Sequence, residues 1–106
     1  MKLLQIFDIA YQWYRSKKFN GCLAISAMNE FGNKDPEIAK ACALFKEAER
    51  TVLFNVVREI GVSDPDCVAD QLFLLLEGIT ATAHIGSMVP DVDDIHRLVR
   101  GVCDGL

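Results

Sequence analysis

The sequence has little proline, and its cysteines do not occur at the spacings of a metal site. Only three Pro and seven Gly interrupt 106 residues. The four cysteines, Cys22, Cys42, Cys67 and Cys103, form no CxxC pair and no Cys/His set of the zinc type. No secretory signal is recognisable, because Asp8 interrupts the first apolar run. We therefore expect reduced thiols in the cytoplasm, and neither a metal nor a cofactor.

Basic residues are too few for a chain that binds nucleic acid by itself. Eleven Lys and Arg stand against fifteen Asp and Glu, a net charge of −4, whereas phosphate binding requires a basic surface. The most hydrophobic stretch, residues 72–89, contains Glu77 and His84, and a membrane span needs about 20 consecutive apolar residues. We expect neither nucleic acid nor a membrane as a partner.

Motifs of catalysis are missing too. No glycine-rich phosphate loop, GxSxG or HExxH occurs. The acidic residues of segment 91–94, just before His96, suggest a metal site, but capping and the helix dipole explain acidic residues where a helix begins. Glu77 and His84 lie two helical turns apart, about 10 Å, too far for a hydrogen-bonded acid–base pair. The sequence therefore predicts no catalytic residue and no enzyme.

Apolar side chains at helical spacing dominate what is present. Hydrophobic residues make up 51% of the chain and charged residues 25%, and alternating β-branched residues are nearly absent. A chain of this length forms one domain, residues 1–106, and buries roughly two-thirds of its unfolded surface. We predict an all-α fold of about five helices in an antiparallel bundle.

Capping residues predict where the helices begin and end. Asp35-Pro36 and Asp64-Pro65 each place a preferred N-cap before a proline suited to the first turn. Gly32-Asn33 tolerates the left-handed geometry that ends a helix. The resulting helices cover about 2–16, 22–31, 35–61, 64–86 and 91–106, and the third is about 35 Å long.

Glu77 lies between apparently buried neighbours, where a charge is costly without a partner. Either Arg50 or Arg58 is a candidate partner, or Glu77 faces solvent at a groove. His84 is interpreted as a core or pocket-lining residue.

The first and fourth helices are apolar on two faces, which requires two packing partners. One stripe of the fourth helix and one of the fifth exceed what so short a chain covers by itself, and such patches mark interfaces. We predict a two-fold homodimer. Its interface residues are Leu72, Leu75, Ile79, Ile95, Leu98 and Val102.

Three sequence blocks follow each other at characteristic distances. They are Phe19-Asn20-Gly21-Cys22-Leu23, then Asp35-Pro36-Glu37-Ile38, then Ala69-Asp70-Gln71-Leu72 through Leu75-Leu76-Glu77-Gly78, with Ala81 and His84 following. In this succession the chain, from about Leu3 to Ile85, resembles the C-terminal regulatory domain of the TetR family of bacterial transcriptional regulators. The match is looser towards the C-terminal end.

The resemblance implies an effector-binding and dimerisation domain. In the family, the last two helices of each subunit form a four-helix bundle, here the blocks 66–86 and 92–106. Family members begin with a helix-turn-helix of about fifty residues, which has no counterpart here. The chain is therefore either an excised regulatory domain or one that naturally lacks its DNA-binding part.

An effector pocket inside each subunit is also implied, for a small apolar or amphipathic ligand. From their positions, we predict Phe7, Tyr11, Met28 and Phe45 as its walls and His84 as its polar anchor. The alternative is a stand-alone helical dimerisation or interaction module, whose interior is filled by side chains and binds no ligand.

Overall fold

The computed structural model describes residues 2–16, 22–86 and 89–104, and every regular element in those ranges is an α-helix. The helices are α1 (Lys2–Tyr14), α2 (Leu23–Phe31), α3 (Pro36–Ile60), α4 (Pro65–Ile85) and α5 (Val92–Asp104). The prediction of an all-α fold with five helices is confirmed. The segment Phe19-Asn20-Gly21 lies outside the described residues. None of the described helices is long and apolar enough to cross a membrane.

The N-caps of the two long helices are those that the sequence predicts. The carboxylate of Asp35 accepts hydrogen bonds from the N–H groups of Glu37 (3.0 Å) and Ile38 (3.3 Å). Asp64 accepts one from the N–H of Cys67, at 3.2 Å. The two helices end at Gly61 and Gly86, whose φ angles of 89° and 105° are left-handed. Each cap satisfies backbone groups that the helix itself leaves unpaired.

The end of α2 differs in mechanism from the prediction. The helix stops at Phe31 as expected, but Gly32 keeps a right-handed φ of −57° and its N–H donates to the carbonyl of Met28. The carbonyl of Phe31 then accepts from the N–H groups of both Lys34 (2.9 Å) and Asp35 (2.8 Å). A tight right-handed turn therefore ends this helix, and no left-handed residue is needed.

Helices α3 and α4 pack antiparallel and share the most extensive contact between described helices. Lys46 of α3 pairs with Glu77 of α4, whereas Arg50, one turn further along α3, pairs with Asp70. The partner on α4 thus moves backward as α3 moves forward. Helix α1 packs against α3, α4 and α5, and α2 packs mainly against α3.

The core lies where α1, α3, α4 and α5 meet. The largest fully buried side chains among the described residues are Leu3, Phe7, Leu53, Val57, Val68, Leu72, Ile95 and Val99. Leu72, Ile79 and Ile95, three of the predicted interface residues, are therefore buried within one chain. These three side chains therefore need no second copy to cover them, because α1 joins α4 and α5 in a shared core.

Other apolar side chains stay uncovered, because the molecule is thin. Its extents are 42 × 29 × 17 Å. The accessible surface is 7065 Å², compared with about 5,900 Å² expected for a compact monomer of this mass. On the second face of α1, Ile9 is 71% exposed. The second packing partner that the sequence predicts for α1 is therefore not supplied by the described residues, and this outer face forms one wall of the site described below.

Replacing Leu72 tests whether it belongs to the intrachain core. We expect Leu72→Ala to lower the free energy of unfolding by about 2–5 kcal/mol, because it leaves a cavity among buried neighbours. Leu74→Ala, two residues away on the exposed face of α4, should change it by less than about 0.5 kcal/mol. Urea denaturation followed by circular dichroism measures both. Equal effects of the two substitutions would contradict the assignment of Leu72 to the core.

Candidate functional site

A cleft of about 370 Å³ opens between α1, α3 and α4. We call it the α1–α3–α4 cleft. Its lining residues are Ile6, Ile9, Ala10, Trp13, Tyr14, Cys22, Phe45, Lys46, Glu49, Leu76, Glu77 and Thr80. A mostly apolar cavity of this size with a few polar groups suits a small organic molecule.

The spacing of apolar residues on α1 creates one wall of the cleft. Ile6, Ile9 and Trp13 recur at intervals of three and four residues, so they share one side of the helix. The adjacent stripe contains Leu3 and Phe7, which anchor α1 in the core. Because one stripe is anchored, the other is held facing the cleft.

An ionic cluster lies on the other side of the cleft. The ammonium of Lys46 lies 2.7 Å from a carboxylate oxygen of Glu77 and 3.1 Å from one of Glu49. The three side chains are 21%, 22% and 27% exposed, respectively. Burial alone would lower the pKa of Lys46, but hydrogen bonds with Glu77, Cys22 and Glu49 outweigh burial and raise it. Lys46 is therefore a permanent cation at neutral pH.

The partner of Glu77 is thus neither of the two arginines that the sequence suggested. Arg50 pairs with Asp70 (2.6 Å) and Asp66 (3.2 Å), and Arg58 lies over the ring of Phe54. The antiparallel register decides this, because it aligns Arg50 with the first turns of α4 and leaves Lys46 opposite Glu77. Lys46 also pairs with Glu49 of its own helix, three residues further along, a spacing that brings side chains together on one helix face.

A hydrogen-bonded pair of hydroxyls joins α1 to α4 beside this cluster. The phenol oxygen of Tyr14 lies 2.7 Å from the hydroxyl of Thr80. Because Thr80 donates its proton to the carbonyl of Leu76 (2.8 Å), Tyr14 is the donor in this pair. Burial raises the pKa of Tyr14, and the carboxylates of Glu77 and Glu49 each raise it by more than Lys46 lowers it. The phenol therefore lies in a net negative field.

The five predicted pocket residues do not share one cavity. Phe45 lines the α1–α3–α4 cleft, but Phe7 is in the core and Tyr11 is half-buried against it. Met28 lines a cavity of about 230 Å³ between α2 and α3. His84 lines another of about 250 Å³ between α2 and α4. Phe7 is no pocket wall because it lies on the inward stripe of α1.

Sequence reasoning missed most of the polar residues of the cleft. Lys46 and Glu49 were unremarkable charges on a long helix, and Thr80 was one of several small residues on α4. Only Glu77 stood out, because its neighbours are apolar. No local motif could bring these residues together, since they come from separate helices.

His96, close to the acidic first turn of α5, has a carboxylate partner on α1. The imidazole Nε2 of His96 lies 2.5 Å from a carboxylate oxygen of Asp8, which links α5 to α1. Within the described ranges, no group of three or more His, Cys, Asp or Glu side chains is arranged to hold a metal ion. Each of the four cysteines lies within the described ranges, and none of them is in a disulfide in this structure.

Comparison with known proteins relates this chain to a transcriptional regulator. It is 27% identical over 101 residues to the HTH-type transcriptional regulator YjdC of Escherichia coli (strain K12), and equally to that of Shigella flexneri. The match covers 95% of this chain and 53% of each relative, so the chain spans about half the length of the regulators it resembles. No family model matches the chain, and no solved structure does.

A double-mutant cycle tests the ion pair across α3 and α4. Combining Lys46→Met with Glu77→Gln should reveal a coupling of about 1 kcal/mol in the free energy of unfolding, because the two side chains are mostly shielded from solvent. The matched cycle of Arg58→Met with Glu77→Gln should be additive. Urea titrations of the six proteins give both values. Additivity in the first cycle would show that Lys46 and Glu77 do not interact in solution.

Proposed function

We propose that this chain is the effector-binding and dimerisation domain of a TetR-type transcriptional regulator. The sequence blocks that resemble that family support the assignment, as does the similarity to half of a regulator. The observation that carries it is the α1–α3–α4 cleft, a cavity of about 370 Å³ with apolar walls and a polar end. The proposed role is regulatory and non-enzymatic, and its place is the bacterial cytoplasm.

The proposed effector is a small apolar or amphipathic molecule that fills the cleft. Phe45 remains a wall residue in this proposal, and Ile6, Ile9 and Trp13 replace Phe7 and Tyr11 on the α1 side. Such a ligand would contact three helices together, and binding would favour conformations in which their spacing fits it. Coupling of this kind to a DNA-binding part is the proposed output. The net charge of −4 supports assigning no DNA contact to this chain itself.

The proposed dimer surface is the outward side of α4 and α5. A shallow groove there is lined by Gln71, Leu98, Gly101 and Val102, among others. Leu75 and Val102 are half-buried, and Leu98 is largely exposed. A Cβ added at Gly101 would meet nothing within 4 Å, so a second backbone has room to approach closely. Leu75, Leu98 and Val102 are the three predicted interface residues that are not buried within the chain.

The alternative proposal for the function is an interaction module that binds no ligand. Helix α2 and the first half of α3 carry several exposed apolar side chains, Ile25, Met28, Phe31, Leu44 and Phe45. Exposed apolar surface, where it is contiguous, is typical of protein–protein contacts.

Blocking the cleft separates the two functions. A panel of small amphipathic compounds, anionic, neutral and cationic, is screened by thermal shift, and we expect at least one to raise the Tm of the wild-type chain, since it binds the folded state. Ala10→Phe, which fills the cleft, should abolish that shift, whereas Ala48→Phe on the exposed side of α3 should preserve it. Circular dichroism verifies that both variants fold. If no compound stabilises the wild type, the interaction module is the better description.

Placing a charge on the proposed dimer surface tests assembly. The chain should form a dimer at micromolar concentration, and Leu98→Glu should dissociate it, because the charge would be buried without a partner. Val52→Glu is the matched control, since Val52 is 53% exposed on α3 and Leu98 is 48% exposed on α5. Light scattering behind size exclusion measures the mass of each protein. A monomeric wild type would refute the dimer. A Leu98→Glu variant that stays dimeric would show that the dimer interface does not include this surface of α5.

A further inference from the structure

The charges of the α1–α3–α4 cleft do not cancel. Among the described residues that line it, the charged ones are Lys46, Glu49 and Glu77. Two carboxylates and one ammonium leave a formal charge of −1. Because each of the three side chains is more than 70% buried, water screens this charge less than it would at the surface.

Lys46 is not available to bind an anion. Its ammonium is engaged by Glu77 at 2.7 Å and by Glu49 at 3.1 Å. Freeing it would leave two carboxylates close together in a poorly solvated site, which is unfavourable. The raised pKa of Tyr14 agrees with a negative excess, since the carboxylates act on the phenol more strongly than Lys46 does.

The walls beside the cluster suit an organic cation. Trp13 and Phe45 each keep a large part of their rings exposed, and aromatic faces attract cations. The Lys46 ammonium lies 5.7 Å from the centre of the Phe45 ring, so Phe45 offers apolar contact to the uncharged part of a ligand. Ile6 and Ile9 add aliphatic surface without any charge of their own.

We infer that the α1–α3–α4 cleft selects lipophilic organic cations, whose charge lies against Glu49 and Glu77 and whose apolar groups lie against Ile6, Ile9, Trp13 and Phe45. This inference rests on the proposed function, because it assigns a ligand class to the same cleft. An anionic amphiphile of equal shape would meet the excess negative charge. A neutral one would gain the apolar contacts alone.

Two ions of nearly identical shape and opposite charge serve as probes. Tetraphenylphosphonium and tetraphenylborate present the same four phenyl rings to the protein. Isothermal titration of the 106-residue chain should show tetraphenylphosphonium binding at least about tenfold more tightly, a difference of about 1.4 kcal/mol. Added salt should reduce the difference only slightly, since the cluster is mostly buried.

Variants that change the charge of the cleft test whether the preference for the cation arises there. Glu77→Gln removes one carboxylate and should weaken phosphonium binding by roughly tenfold. Lys46→Gln makes the cleft more negative and should strengthen it. The matched controls are Glu47→Gln and Lys40→Gln, which change the net charge equally but lie exposed on α3, outside the cleft; both should leave the affinity unchanged.

The opposite directions of the two cleft variants exclude a merely structural effect, since damage to the cleft would weaken binding in both. Tetraphenylborate binding as tightly as tetraphenylphosphonium, or weaker phosphonium binding by Lys46→Gln, would overturn the inference. If tetraphenylborate or a neutral amphiphile binds and is blocked by Ala10→Phe, the proposed effector-binding function stands and the cation preference fails. If nothing binds the cleft, both fail.

Discussion

The antiparallel packing of α3 against α4 is the contact on which the other helices depend. The two are joined by the short link from Gly61 to Asp64, which places the end of α3 next to the start of α4. Leu53 and Val57 from one helix, with Val68 and Leu72 from the other, are four of the eight largest fully buried side chains among the described residues. Each such burial is worth about 1.5–3 kcal/mol, whereas a partly exposed ion pair contributes about 0–1 kcal/mol. Apolar burial therefore dominates the stability of this pair.

The ion pairs across the same contact have a different effect. Arg50 with Asp70 and Lys46 with Glu77 are satisfied only when the two helices are aligned as observed. A shift of one helical turn would leave carboxylates of α4 without these cations. The charges thus specify the alignment that the apolar contacts stabilise, and this alignment places Glu77 beside the cleft.

Helix α1 completes the α1–α3–α4 cleft by packing beside α3 and α4. Its inward stripe completes the core, and its outward stripe lies over the groove beside α3 and α4, so the cleft forms as a consequence of how α1 is anchored. The bond between Tyr14 and Thr80 holds the C-terminal end of α1 in place, and the contact between Asp8 and His96 ties its middle to α5. A ligand in the cleft would therefore act on α1, α3 and α4 at once, which is the arrangement a sensor requires.

Local signals in the sequence were sufficient to predict the helices. Asp35 and Asp64 cap them through their own side chains, and Gly61 and Gly86 end them through their own φ angles, so each effect depends on residues within one turn. The α2 end shows the limit of such signals, because Gly32 sits in a turn whose geometry also depends on Lys34 and Asp35.

By itself, then, the sequence determined the class of fold, the number and ends of the helices and the apolar stripes on each of them. Only the tertiary structure decided what each stripe meets. Leu72 and Leu98 both belong to predicted interface stripes, yet one is buried in the chain's own core and the other is exposed. Glu77 pairs with Lys46 and not with an arginine, because the register of α3 and α4 places Lys46 opposite it. Helical periodicity states which residues share a face, whereas the neighbour of that face depends on contacts between residues far apart in the chain.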